Sequence, residues 1–142
     1  MKKKALCLLL ALVLAMGLTA TFSFANDINN EDSGTKSTAV TSFATKRHSD
    51  TKASASVDVQ FTSTADDYVV SIVLQKKTSS GWVTATDVTG HTHNYRGRNE
   101  NSVLTYDTWT VKKGVLYRIK CVSTDNHNNG PDYTYTNYSD PF

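Results

Sequence analysis

The sequence predicts an all-β protein, a β-sandwich of six or seven strands, and three observations support this fold class. From Ala53 onward, apolar and polar residues alternate with the period of two that is typical of strands with one buried face. Turn-forming Gly, Asn, Asp and Ser residues interrupt this alternation about every 8 to 12 residues, as in sandwiches. No stretch of this region shows the period of an amphipathic helix.

Residues 1–25 are predicted to be a secretory signal peptide. Lys2-Lys3-Lys4 precedes an uncharged apolar run from Ala5 to Ala20, and Ser23 and Ala25 are small residues of the kind that signal peptidase recognises. A membrane anchor is the alternative, but the apolar run is shorter than the roughly 20 residues that cross a bilayer. We therefore expect cleavage after Ala25, a secreted extracellular product, and no membrane insertion after cleavage.

Cleavage changes the charge of the chain. It removes three of the 15 Lys and Arg residues and none of the 13 Asp and Glu residues, which leaves a formal net charge of −1 on 117 residues. A chain of this length is expected to form one domain. Because nucleic acids and anionic membranes attract clustered Lys and Arg, this composition predicts no nucleic-acid partner.

Only one cysteine follows the predicted cleavage point, since Cys7 lies in the signal peptide. Cys121 then has no partner for an intramolecular disulfide, so the core must hold the domain together. In its predicted strand, Cys121 shares a face with Tyr117 and Ile119, and the charged residues of the strand lie on the other face. We expect a buried side chain; a reactive thiol or an intermolecular disulfide is the alternative.

The segment 26–52 is polar and is predicted to be a flexible N-terminal segment. Within it, Thr38–Ala44 has enough β-propensity for a short edge strand. The sandwich domain is expected at 53–142. Its strands are predicted at 53–62, 68–76, 82–88, 103–111, 115–123 and 133–139. Gly, Ser and Asp turns separate most of them, and two polar loops, Thr89–Asn101 and Thr124–Asp132, complete the domain.

The second half of the chain carries a family pattern. The spacing Val-x-x-Gly-x-x-Tyr-x-Ile-x-Cys runs from Val111 to Cys121 and is followed by Asn126, Asn129-Gly130 and Ser139-x-Pro141. It resembles the E–F turn, F strand and F–G loop of fibronectin type III domains. Ile72-Val73-Leu74-Gln75 through Gly81-Trp82 is similar to the C strand and C–C′ hairpin of that family.

The whole precursor also resembles small, secreted, single-domain proteins of Gram-positive bacteria, of uncharacterised function. They share a strand with the pattern Lys-Gly-x-x-Tyr-Arg, seen here from Lys113 to Arg118. Either resemblance implies a fold, a fibronectin type III or immunoglobulin-like sandwich, and a fold does not imply a function.

Metal ligands are the first chemistry to consider. The alternate imidazoles of His91 and His93 could share a metal with Asp125 or His127 from another loop. The segment that begins at Asp125 partly resembles a calcium loop, with Asn129 and Gly130 at its fifth and sixth positions. However, His127 stands where an oxygen ligand is needed, and the twelfth position is Thr136 rather than Glu. We expect solvated polar loops, no metal site and no cofactor.

Catalytic residues are not expected. Glutamate occurs only at Glu31 and Glu100, which leaves little for a paired-carboxylate glycosidase. His48-Ser49-Asp50 contains the residue types of a catalytic triad, but sequence neighbours point in different directions and no G-x-S-x-G motif occurs. An inward-facing Cys121 is unsuited to nucleophilic attack. The protein is therefore predicted to be non-enzymatic.

Aromatic residues remain as candidates for a binding surface. Tyr95, Tyr106, Tyr133 and Tyr135 are the tentative binding residues, because Tyr and Trp are enriched at recognition sites. Core or edge packing is the alternative for most aromatic residues of a sandwich. The alternation places Trp109 inward and Tyr106 outward. It places Tyr133 and Tyr135 on one face and Tyr138 on the other.

The function expected from these observations is a secreted, non-enzymatic, extracellular binding or interaction module. Its partner is an unidentified extracellular protein or glycan, and its variable surface is formed by the loops His91–Asn101 and Asp125–Asp132. One alternative is a carbohydrate-binding protein that uses Tyr106, Tyr133 and Tyr135. Another is a small secreted antibacterial or toxin-like effector.

Overall fold

The computed structural model describes residues 40–142, and this part of the chain is all β, with no helix. The alternation of apolar and polar residues gives long strands because each can bury one face. The eight strands are β1 (Val40–Ser49), β2 (Lys52–Ala65), β3 (Asp67–Thr78), β4 (Gly81–Thr84), β5 (Thr92–Gly97), β6 (Glu100–Thr110), β7 (Tyr117–Asn126) and β8 (Tyr133–Tyr138).

The strands form two antiparallel sheets, which agrees with the predicted β-sandwich. The smaller sheet has the order β1-β2-β6, and the larger has the order β4-β3-β7-β8 with β5 also paired to β3. Gln75–Thr78 of β3 pairs with β4, and Tyr68–Val73 of β3 pairs with β5. Because β4 and β5 follow each other along the same edge of β3, they act as one interrupted edge strand.

The core lies between the two sheets and is built from the inward-facing residues of the long strands. In β2, Val57 and Val59 are fully buried, and in β7 Tyr117 and Ile119 are fully buried. Each alternates with polar residues that are more exposed, as the period of two requires. Cys121 is 1% exposed and unbonded, which confirms the prediction that its side chain is buried.

The edge strand expected at Thr38–Ala44 is present as β1, which runs on to Ser49 and pairs with β2. Residues 38 and 39 lie outside the described part of the chain. So does the predicted signal peptide, residues 1–25. Nowhere in residues 40–142 is there a helix of the length and apolar character needed to span a bilayer.

The prediction of one continuous loop over Thr89–Asn101 was wrong, because β5 occupies Thr92–Gly97. This strand is the eighth, beyond the six or seven expected. Its inward side chains include His93 and Tyr95, which are polar and therefore gave no apolar alternation to detect. The strand predicted at 82–88 is shorter, since β4 ends at Thr84.

Candidate functional site

The outer face of the larger sheet carries a cluster of cations and aromatic rings. In β7, Arg118 and Lys120 alternate with buried Tyr117 and Ile119, so their side chains lie on the solvent side of the sheet. Lys77 lies on the same face of β3. We call the five residues that meet here the cation–aromatic cluster; they are Lys77, Trp82, Arg118, Lys120 and Tyr138.

Strand pairing brings these residues together from four strands. Lys77 lies opposite Trp82 between β3 and β4, and Lys120 lies opposite Tyr138 between β7 and β8. Arg118 lies opposite Gln75 between β3 and β7, which places it between the two aromatic residues. Its Cζ is 4.6 Å from the centroid of the Trp82 ring and 4.1 Å from that of Tyr138. Both distances are within cation–π range.

Two further contacts order the cluster. The Nε–H of Arg118 donates a hydrogen bond to Oε1 of Gln75 at 2.8 Å, and Lys77 Nζ is 5.3 Å from the centroid of the Trp82 ring. Burial lowers the pKa of Arg118 from its ordinary value. The guanidinium of an arginine stays charged in folded proteins.

Ion pairs do not neutralise the cluster. Among the described residues, the Lys and Arg ion pairs join Lys76 and Lys112 to Asp87, Arg98 to Asp67, and Lys113 to Asp50. No Asp or Glu of this part of the chain lies within ion-pair distance of the three cations of the cluster. The hydrogen bonds from Lys112 and Lys76 hold the pKa of Asp87 far below its usual range.

The four predicted binding tyrosines do not share one surface. Tyr106 is 65% exposed on the outer face of the smaller sheet, beside Leu104, which is 74% exposed. Tyr95 and Tyr135 are half-buried and pack against the core between the sheets, and Tyr133 lies on the same side of β8 as Tyr135. The expected inward Trp109, outward Tyr106 and split of the β8 tyrosines agree with the structure, whereas a joint platform of all four does not exist.

Tyr95 belongs to a polar seam where the edge strands β5 and β6 face each other. Its hydroxyl donates a hydrogen bond to Oδ1 of Asp107 at 2.7 Å, and Nδ1 of His93 bonds to the same oxygen. Burial, followed by the hydrogen bond to Asp107, raises the pKa of Tyr95 to about 12. The His93 ring stacks on Trp109 at 6.3 Å between centroids, and the Trp109 indole donates to the carbonyl of Gly90. These contacts close the open side of the sandwich.

His127 forms a separate polar contact at the end of the sandwich. Its Nε2 is 2.6 Å from Oδ2 of Asp125, and its Nδ1 is 2.8 Å from the carbonyl oxygen of Thr64. Both ring nitrogens thus face acceptor oxygens, an arrangement that the doubly protonated ring satisfies. Burial opposes protonation, but the hydrogen bonds with Thr64 and Asp125 outweigh it and raise the pKa of His127 above its usual value.

The candidate metal ligands therefore fall into two places. His93 pairs with Asp107 in the β5–β6 seam, and His127 pairs with Asp125 at the end of β7. Within residues 40–142, no group of three or more His, Cys, Asp or Glu side chains is arranged to hold a metal ion. His91 contacts the carbonyl of Val88 through its Nδ1.

Sequence reasoning missed Arg118 as a candidate site residue. The alternation of β7 places it on the outer face, and that much was visible in the sequence. Its neighbours were not, because Trp82 and Tyr138 come from β4 and β8, and only the strand order brings both beside β7. The one available signal was the placement of Tyr138 on the face opposite Tyr133 and Tyr135.

Comparisons with protein-family models, with curated proteins and with solved structures found no match to this chain.

Proposed function

We propose that this protein is a secreted, non-enzymatic binding module that recognises an extracellular ligand with the outer face of its larger sheet. The cation–aromatic cluster carries this proposal. Lys77, Arg118 and Lys120 have no carboxylate within ion-pair distance among residues 40–142. Trp, Tyr and Arg, which make up most of the cluster, are the residues most enriched where binding energy is concentrated. The predicted signal peptide supports an extracellular site of action.

The proposed sandwich is of the fibronectin type III kind. The strand order supports this assignment, since β1-β2-β6 faces a sheet in which the interrupted edge strand, β3, β7 and β8 follow in that order. In this arrangement the outer face of the larger sheet is a broad, regular surface. Rigid strands hold its side chains at fixed spacing, which favours recognition of an extended ligand.

A glycan is the favoured ligand class within this proposal. Trp82 is half-buried and Tyr138 is 38% exposed on this sheet face, and the parts of the rings that Arg118 leaves open can contact the C–H groups of sugars. Gln75 and the cations around the rings can hydrogen-bond to sugar oxygens. The secreted protein, purified from culture supernatant, should bind oligosaccharides on a glycan array. Trp82→Ala and Tyr138→Ala should each weaken that binding.

Tyr106→Ala is the matched control, because it removes an exposed tyrosine from the outer face of the smaller sheet. It should leave binding to the array unchanged. If Tyr106→Ala abolishes binding while Trp82→Ala and Tyr138→Ala retain it, the recognition surface is the Leu104–Tyr106 face and the proposal is wrong.

A further inference from the structure

The guanidinium of Arg118 is half-buried and is contacted by three side chains of neighbouring strands. Trp82 and Tyr138 contact it from strands on opposite sides of β7, and Gln75 accepts from its Nε. These contacts restrict rotation of a long side chain, so little additional entropy is lost when a ligand binds. The hydrogen bonds of the described residues leave Nη1 and Nη2 as the two nitrogens through which Arg118 can meet a ligand.

A guanidinium that presents two parallel N–H groups matches the two oxygens of a carboxylate or phosphate. No carboxylate of residues 40–142 lies within ion-pair distance of Arg118, and Lys77 and Lys120 add positive charge beside it. Arg118 is half-buried, so it loses hydration, and it gains no ionic partner among residues 40–142. A ligand oxyanion at this position would supply that partner.

We propose that Arg118 is an oxyanion-binding residue, and that the ligand of the outer face is an acidic polysaccharide whose anionic groups accept hydrogen bonds from its Nη1 and Nη2. Trp82 and Tyr138 position the guanidinium, and Lys77 and Lys120 provide long-range attraction. This inference rests on the proposed function, because it names the ligand class of the same surface.

Nucleic acid is the less favourable polyanion. Its binding strength depends on the number of phosphates that Lys and Arg neutralise, and the cluster offers three cations. The chain that follows the predicted cleavage point carries 12 Lys and Arg residues against 13 Asp and Glu residues, so its overall field does not attract a long polyanion. A polysaccharide with spaced charges fits three cations better than a phosphodiester of high charge density.

The test is isothermal titration of the secreted protein with four polymers. Oligogalacturonate offers carboxylates, a phosphomannan offers phosphates, dextran is neutral, and a single-stranded DNA 20-mer is the nucleic-acid arm. The protein should bind one or both of the acidic polymers, and added salt should weaken that binding. Arg118→Gln should reduce this affinity on the order of 10- to 100-fold. Arg118→Lys keeps the charge but lacks the paired N–H donors of the planar guanidinium, so it should bind more weakly than the wild type as well.

Arg96→Gln is the matched control. Arg96 is an exposed cation on the same outer face, in β5, and lies opposite Val69 rather than an aromatic residue. It removes the same charge and should change the affinity less than about threefold. An equal loss in Arg96→Gln and Arg118→Gln would show that net charge alone acts, and would overturn the assignment of Arg118.

The remaining outcomes separate this inference from the proposed function. Binding to dextran that requires Trp82 and survives Arg118→Gln would retain the glycan-binding function and refute the oxyanion site. Stronger binding to DNA than to either acidic glycan would refute the polysaccharide. A failure of both acidic polymers to bind at millimolar concentration would refute the inference. Far-ultraviolet circular dichroism of each variant establishes that the sandwich is intact.

Discussion

Position 97 requires a glycine, because the ring of Tyr68 occupies the space that a side chain would need. The two residues are direct partners between β3 and β5. A Cβ added to Gly97 would lie 2.7 Å from Cε1 of Tyr68 and closer still to its Cζ and hydroxyl. The ring is 7% exposed and its hydroxyl donates to Glu100 at 2.7 Å, so it has little freedom to move away.

Gly97→Ala should therefore destabilise the domain by about 1 to 3 kcal/mol, which is the usual cost of overpacking. In a Tyr68→Val background the ring is gone, and the same change should stabilise by roughly 0.5 to 1 kcal/mol because alanine restricts the unfolded chain more than glycine. The sign of the effect should reverse. The coupling energy between the two positions is then about 1.5 to 4 kcal/mol.

Urea unfolding followed by circular dichroism measures the four free energies of unfolding in this cycle. Tyr68→Phe is the control background, since it keeps the ring atoms that block Gly97 and removes only the hydroxyl. Gly97→Ala should remain destabilising there. If Gly97→Ala stabilises the wild-type protein, or if the coupling is below about 0.5 kcal/mol, the ring does not determine this glycine.

Three further predictions concern titratable or polar groups. Burial raises the pKa of Cys121 from 9.0 to about 12. The buried thiol therefore does not change the stability below about pH 9, and it lowers the stability as pH rises toward 12, because only the unfolded chain can ionise it easily. At pH 11 the free energy of unfolding of the wild type should be lower by about 3 kcal/mol, a loss that Cys121→Ala should not show. Because the pKa of His127 is raised in the folded protein, its protonated ring stabilises the fold fully below about pH 6.5, and this stabilisation is lost as pH rises further. The urea midpoint of the wild type should therefore decrease as pH rises from 6 to 8.5, and that of His127→Gln should decrease less. Asp107→Asn should destabilise by about 1 to 3 kcal/mol because it disturbs the bonds to two partners, whereas Asp58→Asn on the outer face should change the melting temperature little.

The strands that alternate apolar and polar residues could be predicted because the alternation is itself the cause of burial. In β7, the expected inward residues Tyr117, Ile119 and Cys121 are at most 1% exposed. In β5 the inward residues are polar, and Asp107 of the facing sheet satisfies His93 and Tyr95. A strand that is stabilised by hydrogen bonds across the sandwich leaves no apolar pattern in its own sequence.

The candidate site was less predictable than the fold for a related reason. Alternation tells on which face a residue lies. It correctly placed Tyr106 outward and Tyr138 on the face opposite Tyr133 and Tyr135. It does not tell which strands are neighbours. The contact of Arg118 with Trp82 depends on β3 lying between β4 and β7, a pairing of segments far apart in the chain. The sequence pattern therefore points to the polar loops and not to the face of the larger sheet.

A nuclear magnetic resonance titration of the ¹⁵N-labelled protein with oligogalacturonate shows directly whether the outer face of the larger sheet binds an acidic glycan. The chain has two tryptophans, so two indole N–H signals report on two places. Trp82 contacts Arg118 on the outer face, whereas Trp109 is 3% exposed and its indole is bonded to Gly90. If the ligand binds at the cation–aromatic cluster, the Trp82 indole and the Arg118 Nε–H signals should shift together while the Trp109 signal stays in place. Shifts confined to residues around Tyr106, or a Trp82 signal that does not move at saturation, would contradict it.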